Sequence, residues 1–201
     1  MTTLPFLASL LLTVQNAPSN AGTVSGGAGF SAALLDATTA SELLEDKDCA
    51  GIRFYSAMEK DAASATVMAV GIDDHGAELT AGFFGRPYKL CVNGPVVGKA
   101  RELSRSKAEE AITLIKTSGN TNFSASFSRT DLQAMLDKEG CVALLVTPDE
   151  ASGSVSMRVA AVGTDGSKTM ELGSGEGYEK VCGDPCPAFC GPTGNYLQTA
   201  K

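Results

Sequence analysis

Two short stretches of the chain decide the fold: Cys49–Tyr55, which reads CAGIRFY, and Cys141–Thr147, which reads CVALLVT. They lie 92 residues apart, and in each a cysteine directly precedes a mainly apolar run. The same distance separates Val67–Gly71 (VMAVG) from Val159–Gly163 (VAAVG). Short apolar runs bounded by polar turns predict buried β-strands.

The match between these regions extends beyond the strands. Between Leu43 and Asp73, eight residues are identical to the residue 92 positions later without a gap, where about two would be expected by chance. These eight are Leu44, Cys49, Ser64, Val67, Ala69, Val70, Gly71 and Asp73. We therefore predict a tandem duplication, with a first module over residues 1–94 and a second over residues 95–201.

Each module also carries signals for two helices. Ser106–Glu109 (SKAE) is a capping box followed by apolar residues at helical spacing, and Ser118–Asn120 (SGN) is a typical helix stop. Thr39–Glu42 and Ser128–Asp131 are similar starts for a second, shorter helix just before the cysteine. The predicted module is therefore helix-helix-strand-strand.

The counterpart of the longer helix in the first module is Leu4–Asn16, which is the most sustained apolar stretch of the chain. An alternative interpretation is a secretory signal peptide, with Ser19–Ala21 as the cleavage site before Gly22. No Lys or Arg precedes the stretch, which favours the helix. The following Ser19–Gly29 is rich in Ser, Gly and Ala and has no counterpart in the second module, so we expect a surface loop.

The predicted fold class is α+β, with the two modules packed against each other as a pseudo-dimer. The strands are almost continuously apolar, which indicates that both of their faces are covered. One hairpin and two helices form a thin core for about a hundred residues. Packing of the two modules against each other, with a shared sheet, would thicken it.

Charge excludes some classes of partner. The chain has 16 Lys and Arg against 23 Asp and Glu, a net charge of −7, and no basic cluster. Nucleic acids and anionic membrane surfaces are bound mainly by clustered basic residues, so neither is an expected partner. No apolar run approaches the roughly 20 residues that a membrane-spanning helix needs.

The order of a short acidic helix, then CAGIRFY, then VMAVGIDDHG and finally Cys186–Cys190 (CPAFC) resembles a group of small bacterial proteins. Those proteins are single modules that end in a Cys-Pro-Pro-aromatic-Cys tail, and they are uncharacterised. The resemblance implies two tandem copies here, of which only the second retains the tail. It implies no activity, cofactor or catalytic residue.

The six cysteines leave several interpretations open: disulfides, free thiols, a metal site or redox chemistry. The duplication favours a Cys49–Cys91 bridge, which the second module would repeat between Cys141 and Cys182. Cys186 and Cys190 would then close the tail on themselves. Bridged cysteines would indicate an extracellular or periplasmic protein, and free thiols a cytoplasmic one. Cys182, Cys186 and Cys190, together with one remote cysteine, would also permit zinc or an iron–sulfur cluster, although their spacing is not diagnostic.

Other chemistry-bearing residues have ordinary structural interpretations. His75, the only histidine, lies with Asp73 and Asp74 in a predicted polar turn. Four arginines would form either an anion site or, as we expect, a solvated face; they are Arg53, Arg86, Arg101 and Arg105.

Phe83 and Phe84 are adjacent, so only one of them can point inward from a strand. They are therefore candidates for an interface between the modules or between molecules.

These features predict a non-enzymatic structural or interaction protein that associates with itself into an oligomer or filament and is stabilised by disulfides. The alternative is a metal-binding or thiol-redox protein that uses the C-terminal cysteines. We expect no cofactor and identify no catalytic or metal-binding residues. A small ligand bound between the modules is a further option, although no motif specifies its chemistry.

Overall fold

A computed structural model describes residues 29–79, 88–94, 97–120, 124–149, 156–164 and 168–173. Side chains are described for all of these except residues 156 and 168–173. The elements in chain order are β1 (Ala33–Asp36), α1 (Ala37–Leu44), β2 (Gly51–Ala57), β3 (Thr66–Ile72), β4 (Tyr88–Leu90), β5 (Val92–Asn93), β6 (Arg101–Leu103), α2 (Arg105–Thr117), β7 (Ser124–Ser128), α3 (Arg129–Leu136), β8 (Cys141–Asp149), β9 (Ser156–Gly163) and β10 (Lys168–Gly173).

These ranges form a mixed α+β fold with two five-stranded antiparallel sheets, which confirms the predicted α+β class. Sheet A has the strand order β10-β9-β8-β1-β5, and sheet B has the order β6-β4-β3-β2-β7. Each sheet takes strands from both sides of the predicted module boundary after residue 94. The two predicted modules therefore share both sheets.

Strand β1 pairs with β8, and β7 pairs with β2, in matching registers. Leu35 lies opposite Leu144 in the first ladder, and Phe127 lies opposite Ile52 in the second. A shift of 92 positions converts each of these pairs into the other. Helices α1 and α3, which follow β1 and β7 directly, are both eight residues long and start 92 positions apart.

The strands expected from the apolar runs are confirmed, with longer bounds for β2, β8 and β9. Every residue of β2 and β3 is buried, so the expectation that both faces are covered is correct for them. The sequence interpretation missed β1, β7, β10 and the short strands β4 to β6. The helix-helix-strand-strand module is therefore incomplete, because a strand also precedes each of the short helices.

Helix starts were predicted with mixed success. Ser128 caps α3 as expected, since its hydroxyl accepts a hydrogen bond from the Asp131 amide. The predicted start of α1 at Thr39 is wrong, because the Asp36 carboxylate accepts from the Thr39 amide and so starts the helix earlier. The capping box at Ser106 is also wrong: Ser104 is the N-cap of α2, and its side chain makes no capping hydrogen bond.

Helix α2 ends at Thr117 as predicted, and Gly119 then adopts a left-handed conformation with φ of 81°. Leu4–Asn16 and Ser19–Ala28 lie outside the described residues.

The main core lies between the two sheets. Phe54 and Phe127 from sheet B meet edge to face at 5.9 Å and pack in one cluster with Leu144 and Val159 from sheet A. A second cluster lies on the opposite face of sheet B, where α2 covers it with Ala108, Ala111 and Ile112. Sheet B is therefore covered on both faces.

Gly51 allows β2 and β7 to approach closely. A Cβ atom at this position would lie 2.3 Å from the carbonyl oxygen of Phe127. We expect Gly51→Ala to push β7 away from β2 and to lower the free energy of unfolding by about 1–3 kcal/mol, as overpacking does elsewhere. Urea unfolding measures the change.

Gly98→Ala is the matched control, because its Cβ would meet only the Val92 side chain at 3.5 Å, an ordinary contact. The control should change stability by less than about 1 kcal/mol. Equal stability of Gly51→Ala and the parent protein would contradict the close approach.

Candidate functional site

Cys49 and Cys141 occupy matching places, Cys49 two residues before β2 and Cys141 at the first position of β8. The Sγ atom of Cys49 contacts the Gly51 carbonyl oxygen at 3.2 Å, and that of Cys141 contacts the Ala143 carbonyl oxygen at 3.6 Å. Both are free thiols, and burial raises the pKa of each. A raised pKa lowers the thiolate fraction, so neither side chain is an activated nucleophile.

Cys91 is a third free thiol, and the structure does not bring it near Cys49. The Cys91 amide bonds to the Val67 carbonyl, whereas the amide of Ala50, next to Cys49, bonds to the Ile72 carbonyl. Val67 and Ile72 are five residues apart on β3, which corresponds to about 16 Å of extended strand. A disulfide needs Cα atoms within about 7 Å. The favoured Cys49–Cys91 bridge is therefore absent here. Burial also raises the pKa of Cys91 well above its ordinary value.

Several predicted positions lie outside the described residues: Cys182, Cys186, Cys190, Phe83, Phe84 and Arg86. Their proposed roles stay predictions.

The polar turn around His75 has the structural role expected for it. The Asp73 carboxylate accepts hydrogen bonds from the amides of His75 and Ala77 and so stabilises the turn. Asp74 and His75 are both highly exposed. In the ranges that the structure describes, no group of three His, Cys, Asp or Glu side chains could hold a metal ion.

Arg53 does not belong to a solvated face, which corrects that expectation. It lies in the middle of β2 and is only 2% exposed, because the outer face of sheet B is covered. Its Nε donates to the hydroxyl of Ser126 on β7 at 3.0 Å. Its Nη1 is buried and makes no hydrogen bond within the described part of the chain.

A buried carboxylate lies close to this arginine. Glu78 is 6% exposed, and both of its oxygens accept hydrogen bonds from tyrosine hydroxyls. Tyr55 on β2 donates to Oε1, and Tyr88 on β4 donates to Oε2 at 2.7 Å. Arg53, Tyr55, Glu78, Tyr88 and Ser126 together form what we call the sheet B polar network.

Burial dominates the electrostatics of the sheet B polar network. It raises the pKa of Glu78, although the two tyrosine hydroxyls and the charges of Arg53 and Arg105 oppose the shift. Burial and the neighbouring Glu78 carboxylate raise the pKa of Tyr55 and of Tyr88 far above the ordinary tyrosine value. Both tyrosines therefore stay protonated and act as donors.

Among the side chains that the structure describes, the two positions on sheet A that match Arg53 and Ser126 are apolar. At a distance of 92 positions, Leu145 occupies the place of Arg53, and Leu34 occupies the place of Ser126. The two leucines face each other across β1 and β8, as Ser126 and Arg53 do across β7 and β2. The Arg53–Ser126 pair of the network is thus replaced by a leucine pair on sheet A.

The arrangement is better suited to holding elements together than to catalysis. General acid–base groups must come within hydrogen-bond distance of a substrate. Tyr55 and Tyr88 are fully buried, and the carboxylate between them already accepts two hydrogen bonds. These contacts link β2, β4 and the segment after β3.

An open groove of about 270 Å³ lies where the chain passes from β4 in sheet B to β5 in sheet A. Its lining includes Glu59, Asn93, Lys99 and Arg101, with the buried Cys91. Arg101 pairs with Glu59, and the Asn93 amide donates to the Ala65 carbonyl at 2.8 Å. Charges of both signs line the groove, so it favours no single class of ligand.

Comparisons of the chain with protein-family models, with curated proteins and with solved structures find no match. Function must therefore be inferred from the fold and its side chains. None of the helices in the described ranges has the length and apolar character needed to cross a membrane.

The raised pKa of Glu78 predicts a specific pH dependence of stability. Folding favours the protonated carboxyl, so its contribution is greatest below the unfolded-state pKa of about 4.3 and is lost as pH rises through the folded-state value. We expect Glu78→Gln to remove this loss. The free energy of unfolding of the variant should decline less than that of the parent from about pH 4 to pH 7, as measured by urea unfolding at several pH values.

Asp74→Asn is the control, because it also removes one carboxylate but at a position that is 77% exposed. Its stability should follow the pH profile of the parent. Parallel profiles for Glu78→Gln and the parent would show that Glu78 does not titrate differently on folding.

Proposed function

We propose that this chain is a non-enzymatic structural or interaction protein, built from two tandem modules packed as a pseudo-dimer. The supporting observation is the reciprocal pairing of β1 with β8 and of β7 with β2 at registers related by 92 positions. A duplicated module whose copies exchange their first strands would produce this pattern. The matching N-caps Asp36 and Ser128 add to the support.

We further propose that the protein associates with itself through the same exchange. If β1 of one chain pairs with β8 of another, every hydrogen bond of the ladder is preserved. A reciprocal exchange would close a dimer, whereas exchange in one direction would continue into a filament. Association thus needs no new surface.

Edge-to-edge extension is less suitable at two of the four sheet edges, β6 and β5. Strand β6 forms one edge of sheet B, and its Arg101 and Glu102 are exposed. Charged side chains on an edge strand oppose the addition of a further strand. Strand β5, at one edge of sheet A, has only two residues.

The described side chains support a non-enzymatic role as well. The sheet B polar network is buried, and its pKa shifts arise from the packing that stabilises the fold. Such shifts also mark active sites, but there they accompany a cleft. The open groove is lined by other residues.

The test is the oligomeric state of the full chain, measured by light scattering at increasing concentration. We expect a defined oligomer or a filament. Mixing of two differently labelled samples should exchange subunits slowly in buffer and much faster in partly denaturing urea, since exchanged strands must unfold before they separate.

A monodisperse monomer at high concentration would remove the self-association proposal. Rapid subunit exchange without denaturant would instead indicate contact between folded surfaces, which contradicts strand exchange.

The alternative proposal, a metal-binding or thiol-redox protein, depends on Cys182, Cys186 and Cys190. Thiol titration of the denatured, non-reduced protein together with elemental analysis separates the two. The structural proposal predicts no stoichiometric metal and a C-terminal bridge. Bound zinc with six titratable thiols would favour the alternative.

A further inference from the structure

The outer face of sheet A, directed away from sheet B, carries an apolar patch, and an Arg158–Asp149 ion pair lies farther along β8 and β9. Leu34 of β1 lies opposite Leu145 of β8, and Ala143 of β8 lies opposite Val162 of β9. Leu34 and Val162 are only 3% and 8% exposed, and Leu145 is half-buried. The cluster that these residues form contains no helix residue from the described part of the chain.

The corresponding face of sheet B shows what covers such a surface. There Ala108, Ala111 and Ile112 of α2 pack against Tyr55 and Met68. Helix α2 directly precedes β7, the strand that pairs with β2 at one edge of sheet B. Strand β1 is the counterpart of β7 in sheet A. By the same arrangement, a helix that precedes β1 would cover sheet A.

The segment Leu4–Asn16 fits that place by position and pattern. It has the same length as α2, and Phe6, Leu7, Leu10, Leu11 and Val14 recur at helical spacing. Residues 17–32 connect it to β1. This connection is longer than the one between α2 and β7 because it contains the Ser19–Gly29 stretch, which the second module lacks.

Charge also matches the segment to this face. No Asp, Glu, Lys or Arg precedes Asp36 in the chain. The face it would cover carries Leu145 and Leu34, where sheet B carries Arg53 and Ser126. Helix α2, which covers the polar face, begins instead with Arg105. The uncharged segment is thus suited to the apolar patch around Leu34 and Leu145.

We propose that Leu4–Asn16, which lies outside the described residues, forms a helix that docks on the outer face of sheet A. The segment is then a structural element rather than a cleaved leader. This inference rests on the proposed pseudo-dimer, whose second half it completes, but not on self-association.

Hydrogen exchange of the full chain, followed by mass spectrometry, tests the docking. We expect amides of residues 4–16 to be protected to an extent similar to those of α2. Leu10→Lys and Leu145→Lys each place a charge in the contact from one side and should abolish protection in residues 4–16 while α2 stays protected. Val97→Lys, which replaces an exposed apolar side chain elsewhere, is the control and should leave both segments protected.

Exchange of residues 4–16 at the rate of an unfolded chain would overturn the proposal. So would protection that survives both substitutions, or a mature protein that begins at Gly22. The measurement is repeated at low concentration. Protection that persists in a monomer supports docking within the chain even if self-association fails, whereas protection that disappears on dilution assigns the cover to a second copy and overturns the proposal.

Discussion

The structure depends on the two reciprocal ladders that join β1 to β8 and β7 to β2. Without β1, β8 would be an edge of sheet A, and without β7, β2 would be an edge of sheet B. The inner faces of all four strands contribute to the single core between the sheets. Backbone hydrogen bonds and apolar burial therefore both require the two halves of the chain to be folded together.

The sheet B polar network adds a constraint that the core alone does not supply. Apolar packing tolerates many arrangements of similar volume, whereas a buried carboxylate must find its donors. Glu78 accepts from tyrosines on two different strands, and Arg53 ties β2 to β7 through Ser126. The network thus restricts the positions of β4 and β7 relative to β2 and β3. On sheet A, Leu145 and Leu34 occupy the positions of Arg53 and Ser126, so no polar side-chain contact fixes the pairing there.

The sequence predicted those elements whose signal is local. The apolar runs of β2, β3, β8 and β9 and the Ser128 cap can each be recognised within a few residues. Strand β7 was missed because it reads Ser-Ala-Ser-Phe-Ser, in which the buried serines resemble a solvated face. Ser126 pairs with Arg53, which is distant in sequence, and Ser128 caps α3.

The candidate site was missed for a similar reason. Arg53, Tyr55, Glu78 and Tyr88 have no diagnostic spacing, and they converge only because β3 lies between β2 and β4. Arg53 alone gave a signal, as a charged residue inside an otherwise apolar strand. The sequence analysis placed Arg53 on a solvent-exposed face. A strand that is covered on both faces, however, must bury each of its polar side chains.

The long separation between paired strands also constrains the order in which the chain can fold during synthesis. The β1–β8 ladder joins residues more than a hundred positions apart, so β1 emerges from the ribosome long before its main partner. The first half of the nascent chain then carries apolar strands that lack one neighbour, and it must remain incompletely folded until residue 149 has emerged from the ribosome. Folding is therefore completed late in synthesis. Until then β1 and β2 lack their partners β8 and β7, and on a polysome the β8 or β7 of a neighbouring nascent chain could pair with them instead.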